Sequence, residues 1–489
     1  MESNPALYQI NTRVTLTDLS LALKRPAILD DIPDRELDRL ARDGFDWVWF
    51  LGVWQTGDAG RKVSLENREW RREFQDLLPD FAEKDVCGSG FAIRCYTVHS
   101  DFGGNAALAR LRQRLRDRGM RLLLDFVPNH TALDHLWVQE HPDYYVRGTE
   151  DQLEREPQNY TRVATGSGPT VLAYGRDPYF AGWPDTLQLN YANPELQEAR
   201  ALELESIAEM CDGVRCDMAM LILPDVFEKT WGVRPTAFWP DAIRRIQSRS
   251  EDFLFMAEVY WDLEWTLQQQ GFDYTYDKRL YDRLREGHAR PVRDHFRAHI
   301  DFQRKSARFL ENHDEPRAAG TFAPGIYEAA AVLTYMCPGL RFFHQGQSEG
   351  FTKKIPVHLR RGPAEATDPA IHEFYDRLLA LLRRPILREG EWLLLECTPA
   401  WEGNGTWDDF VCFAWQRSGL NLHILAVNYS PHQSQCHLRF PFQELSGQAI
   451  RLRDLLGPES YERCGDDVLR TGLYLDLAPW GYNVFELTI

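Results

Sequence analysis

The sequence predicts an α/β fold: a (β/α)8 TIM barrel with a domain inserted after its third strand and an antiparallel β-sandwich at its C-terminal side. Three observations lead there. Four short apolar runs end in acids, amides or histidines: Met120-Arg121-Leu122-Leu123-Leu124, Gly213-Val214-Arg215-Cys216, Phe253-Leu254-Phe255-Met256-Ala257 and Ala307-Arg308-Phe309-Leu310. Polar groups gathered at the carboxyl ends of several strands mark a site on a parallel barrel. Segments of helical periodicity lie between the runs, so strand and helix alternate. After Gly390 this rhythm gives way to short alternating segments separated by glycine, proline and asparagine, the pattern of a sandwich.

Taken in order, Ala6 to Asn11 alternates and reads as a first strand. Leu37 to Gly44 reads as a helix stopped by glycine, and Phe45 to Trp54 as a second strand. Asn105 to Gly119 places Leu108, Leu111 and Leu115 on one helical face and leads into the run ending at Asp125. From Thr131 to about Trp183 the periodicity fails, with Gly148, Gly166, Gly168, Pro169 and Gly175 punctuating a polar, aromatic-rich stretch. A stretch of that length after a barrel strand suggests a domain that covers the site.

Asn193 and Pro194 supply the N-cap and first turn of a helix through Leu204, Ile207, Ala208 and Cys211, which delivers the chain to Asp217. Asp241 to Arg249 is a helix, Phe272 to Tyr276 a sixth strand and Leu340 to His344 an eighth. A last helix carries Phe374, Leu378, Leu381 and Leu382 on one side. The predicted organisation is a first barrel part over 1–130, an inserted domain over 131–187, a second barrel part over 188–389 and a β-sandwich over 390–489.

Hydrophobic residues at 44% and charged ones at 26% are ordinary for a folded chain of 489 residues. A net charge of -17 argues against nucleic acid and anionic membranes as partners. Polar residues interrupt the first 24 positions and no apolar stretch reaches membrane-spanning length, so the expected location is cytoplasmic. Nine scattered cysteines lack CxxC spacing and the 14 histidines show no HExxH pair, so neither a disulfide framework nor a catalytic metal is expected. Cys216 should face away from the barrel axis as a buried thiol.

The chemistry concentrates at Asp217, Glu258 and Asp314. On an extended segment Arg215 and Asp217 point the same way. Taken alone they could equally be a buried ion pair that fixes packing. Retaining cleavage of a glycosidic bond needs a carboxylate nucleophile and a second carboxyl that first gives and then takes a proton. Asp217 beside Arg215 suits the first role. Glu258, amid Phe255, Met256, Ala257, Val259, Tyr260 and Trp261, suits the second, because an apolar setting favours the neutral acid. Asp314 is a third carboxylate able to grip sugar hydroxyls and stabilise positive charge at the anomeric carbon.

These segments resemble the four signature regions of the α-amylase superfamily, glycoside hydrolase family 13, whose members are retaining α-glycosidases and transglycosidases. Asp125-Phe126-Val127-Pro128-Asn129-His130 is similar to the first region, Gly213 to Asp217 to the second, Glu258 to the third and Asn312-His313-Asp314 to the fourth. The resemblance implies Asp217 as nucleophile, Glu258 as acid/base and Asp314 as transition-state stabiliser. It also implies that His130, Arg215 and His313 bind the sugar on the nonreducing side of the cut, with Asp125 and Asn129 behind them. Phe91 to Tyr96 resembles the segment whose tyrosine stacks under that sugar, which makes Tyr96 the candidate platform. The inserted stretch takes the place of the family's domain B and the C-terminal region that of its domain C.

Departures bear on the details. Leu221 and Met220 stand where calcium-binding amylases usually carry histidine and lysine, and Asn129 alone cannot hold the ion, so no required calcium or other cofactor is expected. The family's Gly-Gln-Glu becomes Gly346-Gln347-Ser348, with Glu349 one step on. Among 15 tryptophans, Trp183, Trp231, Trp239 and Trp261 lie where a sugar could stack. The expected function is hydrolysis of α-glucosidic bonds in small oligosaccharides or glucosides. The alternatives are transfer of the glucosyl group to another sugar or to phosphate, an inert barrel serving as a binding subunit, and a metal-dependent hydrolase using Asp125, His130 and His313.

Overall fold

In the computed structural model, which describes residues 4–323 and 325–489, eight parallel strands close on themselves. They are β1 (Ala6–Asn11), β2 (Trp47–Leu51), β3 (Arg121–Phe126), β4 (Gly213–Cys216), β5 (Leu254–Ala257), β6 (Tyr274–Tyr276), β7 (Ser306–Arg308) and β8 (Leu340–His344). Each strand pairs with the next in sequence, and β8 returns to β1, with Leu7 opposite Phe342. Nearly every residue of these strands is buried, as expected where side chains fill the lumen on one face and helices cover the other. The register sets Arg215 of β4 opposite Asp125 of β3 and Met256 of β5, so the polar strand ends reach the same level of the barrel.

The helices follow from local chemistry. Asn11 caps α1 (Thr12–Leu23) by accepting the Val14 N–H, and Gly44 ends α2 (Asp34–Asp43) at φ +89°. Asn193 accepts the Glu195 N–H at 2.9 Å and opens the long helix Pro194–Met210, which buries Leu196, Leu204 and Ile207 against the barrel. Among the described residues no helix is long and apolar enough to cross a membrane.

The aromatic run from Phe45 to Trp54 is not one strand. β2 ends at Leu51, Gly52 turns the chain at φ +72°, and Trp54–Thr56 pairs antiparallel with Ile93–Val98. Periodicity cannot register a single positive-φ residue inside an apolar run. Between those paired strands lie α3 (Asp58–Glu66) and α4 (Arg68–Leu77), an excursion the sequence did not signal. Phe74, Leu78, Val86 and Leu359 give it a small core of its own, shared with the segment after β8.

The stretch after β3 is ordered rather than irregular. His130–Ala132 pairs with Thr186–Gln188, so its base is stitched one residue beyond the predicted limits at each end. Tyr160–Thr165 and Gly168–Ala173 form a hairpin inside it. Beyond Gly390, six strands make one antiparallel sheet and three make another. Along Phe410–Gln416 the alternation is strict: Val411, Phe413 and Trp415 join the barrel core, while Phe410, Cys412 and Ala414 face the smaller sheet. Trp415 Nε1 donates to the Met336 carbonyl at 2.7 Å across that junction.

Candidate active site

The site is organised by one guanidinium. Alternation along β4 turns Arg215 and Asp217 into the barrel and leaves Val214 and Cys216 in the apolar layer. Arg215 Nη1 donates to Asp217 Oδ1 at 2.5 Å. Glu258 follows β5 directly, and its Oε2 lies 2.7 Å from Arg215 Nη2 in an ion pair. Asp314, beyond β7, places Oδ2 3.8 Å from the same nitrogen. The three acids predicted from sequence therefore converge on a single, fully buried arginine. Removing one partner from such a buried set typically costs ~3–5 kcal/mol, because the remaining charge loses its counter-ion.

Backbone geometry positions each acid. Met218 adopts φ +42°, rare for a residue with a side chain, and its N–H donates to Glu258 Oε2 at 2.7 Å. Tyr260 donates its hydroxyl to the other oxygen, Oε1, at 2.8 Å. Asn312 Oδ1 accepts the N–H groups of Asp314 and Glu315 at 2.8 and 3.0 Å, which fixes the turn carrying Asp314. Lys354 Nζ donates to the Asp314 carbonyl at 2.5 Å.

Electrostatics separates the acids. Burial pushes the Glu258 carboxyl up to about 7, helped by the charges on Asp217 and Asp314 and opposed by Arg215. Burial also pushes Asp217 up, with Arg215 opposing it at contact distance. For Asp314 the balance reverses: burial raises it, but His313, Arg215 and Lys354 outweigh that and hold it well below the usual carboxylate range. Its side chain is also 40% exposed, so water assists the ionised form. An acid near neutrality beside a carboxylate held well below its usual range is an arrangement that can divide proton transfer from electrostatic work.

His313 Nε2 is 3.0 Å from Asp314 Oδ2 while its Nδ1 receives the Gln9 amide at 2.8 Å. His130 is buried beside Trp183, with ring centroids 5.3 Å apart. Burial, with Arg200 adding, pushes its imidazole down to about 3, so it stays neutral. Asp125 lies beneath: its carboxylate accepts from Trp49 Nε1 at 3.0 Å and from the Gly52 N–H at 2.7 Å. Trp261 sits at φ +66° with its ring edge-on to Tyr179 on the inserted domain. Trp239 is core and donates to the Ala219 carbonyl, and Trp231 lies under Arg176.

Tyr96 is a correction. Its hydroxyl is bound to the Val127 backbone and to Arg200, and its ring packs on Trp54 and Phe126. The aromatic that faces the acids is Phe91, stacked on His313 at 5.3 Å and lying 5.2 Å from the Arg215 guanidinium. Trp49 and Tyr276 complete the ring of aromatics around that cation, at 5.3 and 5.7 Å. Phe91 stands in the turn before the strand Ile93–Val98 and Tyr96 inside that strand, so the two rings leave the chain toward different neighbours. Gly90 offered a signal: its Cα approaches Gly52 so closely that a side chain there would sit 3.3 Å from the Gly52 Cα, and this brings Phe91 against the strand ends.

The residues around Asn129 do not fit a calcium ion. Its carboxamide is engaged in both directions by Gln188, Nε2 to Oδ1 at 2.9 Å and Nδ2 to Oε1 at 3.1 Å, so the oxygen a hard cation would need already accepts a hydrogen bond. Ser348 donates to Glu349 at 3.0 Å, and Gln347 ties down the floor through the Tyr335 and Tyr375 hydroxyls at 2.6 and 2.7 Å.

Comparison with known proteins agrees with this geometry. The family described as alpha amylase, catalytic domain, matches residues 79–374. An alpha-amylase of Haloarcula japonica is 26% identical over 333 residues, 66% of this chain and 41% of that protein. An alpha-1,4-glucan:maltose-1-phosphate maltosyltransferase of Pseudomonas aeruginosa is 25% identical over 453 residues, 86% of this chain and 59% of that one. The chain thus spans about half the length of the curated relatives it matches. In fold it is similar to a maltogenic alpha-amylase of Thermotoga neapolitana, with a TM-score of 0.71 and 19% identity over 100% of this chain and 99% of the other. Four strand-end motifs in order, a closed barrel and a family match over more than half its length make this chain a member of the α-amylase family.

Proposed function

We propose that the protein is a retaining α-glycoside hydrolase that cleaves α-glucosidic bonds of small oligosaccharides or glucosides by double displacement. The observation that carries this reading is the sharing of Arg215 between Asp217 and Glu258. Two carboxylates on neighbouring nitrogens of one guanidinium are close neighbours, as the double-displacement route requires at about 5–5.5 Å. Burial holds Glu258 near 7, so near neutral pH it can both give and take the proton that the two steps need.

In the first step Asp217 attacks the anomeric carbon and forms the glycosyl ester while Glu258 gives its proton to the departing oxygen. In the second, ionised Glu258 takes a proton from water, which attacks the same carbon and releases Asp217. Arg215 keeps Asp217 ionised between turnovers, and Asp314, held as the carboxylate, offsets positive charge at the sugar ring. His130 and His313 are placed to donate to sugar hydroxyls, with the Phe91 ring beside them. No step needs a metal ion or cofactor.

A second reading, transfer of the glycosyl group to a sugar, is favoured by the burial of Asp217 and Glu258, 6% and 3% exposed, since a dry site disfavours water as acceptor. Incubation with maltooligosaccharides and α-linked disaccharides, with products sized by mass spectrometry, decides. Free glucose and retained anomeric configuration support hydrolysis; longer or isomerised sugars support transfer; absence of reaction with every α-glucoside refutes both.

A further inference from the structure

Beside the acids a cleft of about 490 Å³ opens over the carboxyl ends of β1, β7 and β8, where Asn11, His313 and His344 line it. It is continuous with the site already described. His313 forms part of its wall, and Lys354, also on that wall, donates to the Asp314 carbonyl. Closure of the barrel sets its direction: in the eight-strand ring β8 stands four places from β4 and β1 four places from β5, so the cleft lies across the barrel mouth from Asp217 and Glu258. Glu258 protonates the departing oxygen, which puts the leaving group on the β5 side. In a glucosyl ring C1 and C4 lie at opposite ends, so a unit joined through O4 extends away from Glu258, toward β8 and β1.

Two walls shape the cleft, and neither carries one of the three acids. One is α1, with Asp18 and Leu21 exposed along it. The other is the segment after β8, where Phe351, Ile355 and Pro363 give an apolar surface and Ala364 is exposed. The excursion carrying α3 and α4 braces this segment from behind: Leu359 enters its small core and pairs with Val86, and Arg361 Nε lies 2.8 Å from Asp85 Oδ1. Charge along the lining is mixed and largely spent within the protein. Arg361 is held by Asp85, and Glu365 accepts the Thr352 and Lys353 N–H groups at 2.8 and 3.2 Å. An apolar surface with a few polar groups at its edges suits a neutral sugar ring, whose faces are apolar and whose rim carries hydroxyls.

Resting on the hydrolase reading above, we propose that this cleft seats a second glucosyl unit, joined through O4 of the one at the acids, so that the preferred glycone is maltosyl rather than glucosyl. The full chain is assayed on nitrophenyl α-maltoside and nitrophenyl α-glucoside, which share a leaving group, with products read by mass. The maltoside should be cleaved with kcat/KM at least ~10-fold higher, giving maltose and nitrophenol, because binding energy from a remote unit is realised at the reacting bond. Ala364→Trp and Leu21→Trp, at exposed positions on the two walls, fill the cleft; each should abolish the preference for the maltoside while keeping the glucoside activity and melting temperature of the parent. Loss of the preference in either folded variant supports the site, and a preference that survives in both overturns it. A smaller gain in the parent, or release of glucose and nitrophenyl glucoside from the maltoside, overturns the second subsite and leaves the hydrolase reading standing. Cleavage of neither compound overturns both.

Discussion

The sharpest test concerns the tyrosine that holds the general acid. Tyr260 donates to Glu258 Oε1 at 2.8 Å, and this bond is stronger to the ionised carboxylate than to the neutral acid. Removing it in Tyr260→Phe therefore destabilises the charged form and raises the Glu258 pKa above its value of about 7. A hydrogen bond to a charged group is worth ~1.5–3 kcal/mol, and one pKa unit corresponds to ~1.36 kcal/mol, so the displacement is about one to two units. Burial of Glu258, 3% exposed, limits replacement by water and keeps the effect within that range. The assay is kcat/KM for an aryl α-glucoside across pH. Because Glu258 must be protonated to assist departure, the alkaline limb should move upward by about one unit or more, with a parent-like melting temperature. A limb that stays in place or moves down refutes the assignment of Glu258 as the acid gated by Tyr260.

Other outcomes follow from the same geometry. Asp217→Asn should lower kcat by at least ~10⁴-fold, as loss of a covalent nucleophile does, while a chelator leaves the activity and melting temperature of the parent unchanged. Phe91→Ala should cut kcat/KM for a glucoside about two- to tenfold, from a stacking loss of ~0.5–1.5 kcal/mol. Tyr96→Phe should instead cost ~1–3 kcal/mol of stability with KM retained, since its hydroxyl serves Val127 and Arg200. Glu258→Gln should gain stability relative to the parent as pH rises. The folded carboxyl titrates near 7 and the unfolded one near 4.5, so the folded state binds the extra proton in that window and the parent loses stability across it. Denaturant melts at pH 5 and pH 8 check the sign, and a gap that narrows with pH refutes it.

The sequence by itself determined the barrel, its C-terminal sheets and the three acids, because each of these is written locally. Period-two and period-3.6 apolar patterns specify strands and helices without knowledge of neighbours, and a carboxylate at the end of an apolar run in a parallel barrel has only one place to go. Arg215 and Asp217 share a face whatever the rest of the chain does. The inserted stretch was legible as a break in rhythm, although its hairpin and the pairing at His130 and Gln188 were not.

Tertiary structure decided whatever depends on approach between distant segments. Which aromatic faces the acids turned on Gly52 meeting Gly90, a contact between residues 38 positions apart that sends Phe91 inward and Tyr96 toward Val127. Sharing of one guanidinium by Asp217, Glu258 and Asp314 needs β4, β5 and β7 closed into a ring, and so do the separate pKa values that closure imposes. Burial and charge proximity are properties of the packed molecule, set by which side chains exclude water from which atoms, and a linear pattern records composition along the chain but not that exclusion.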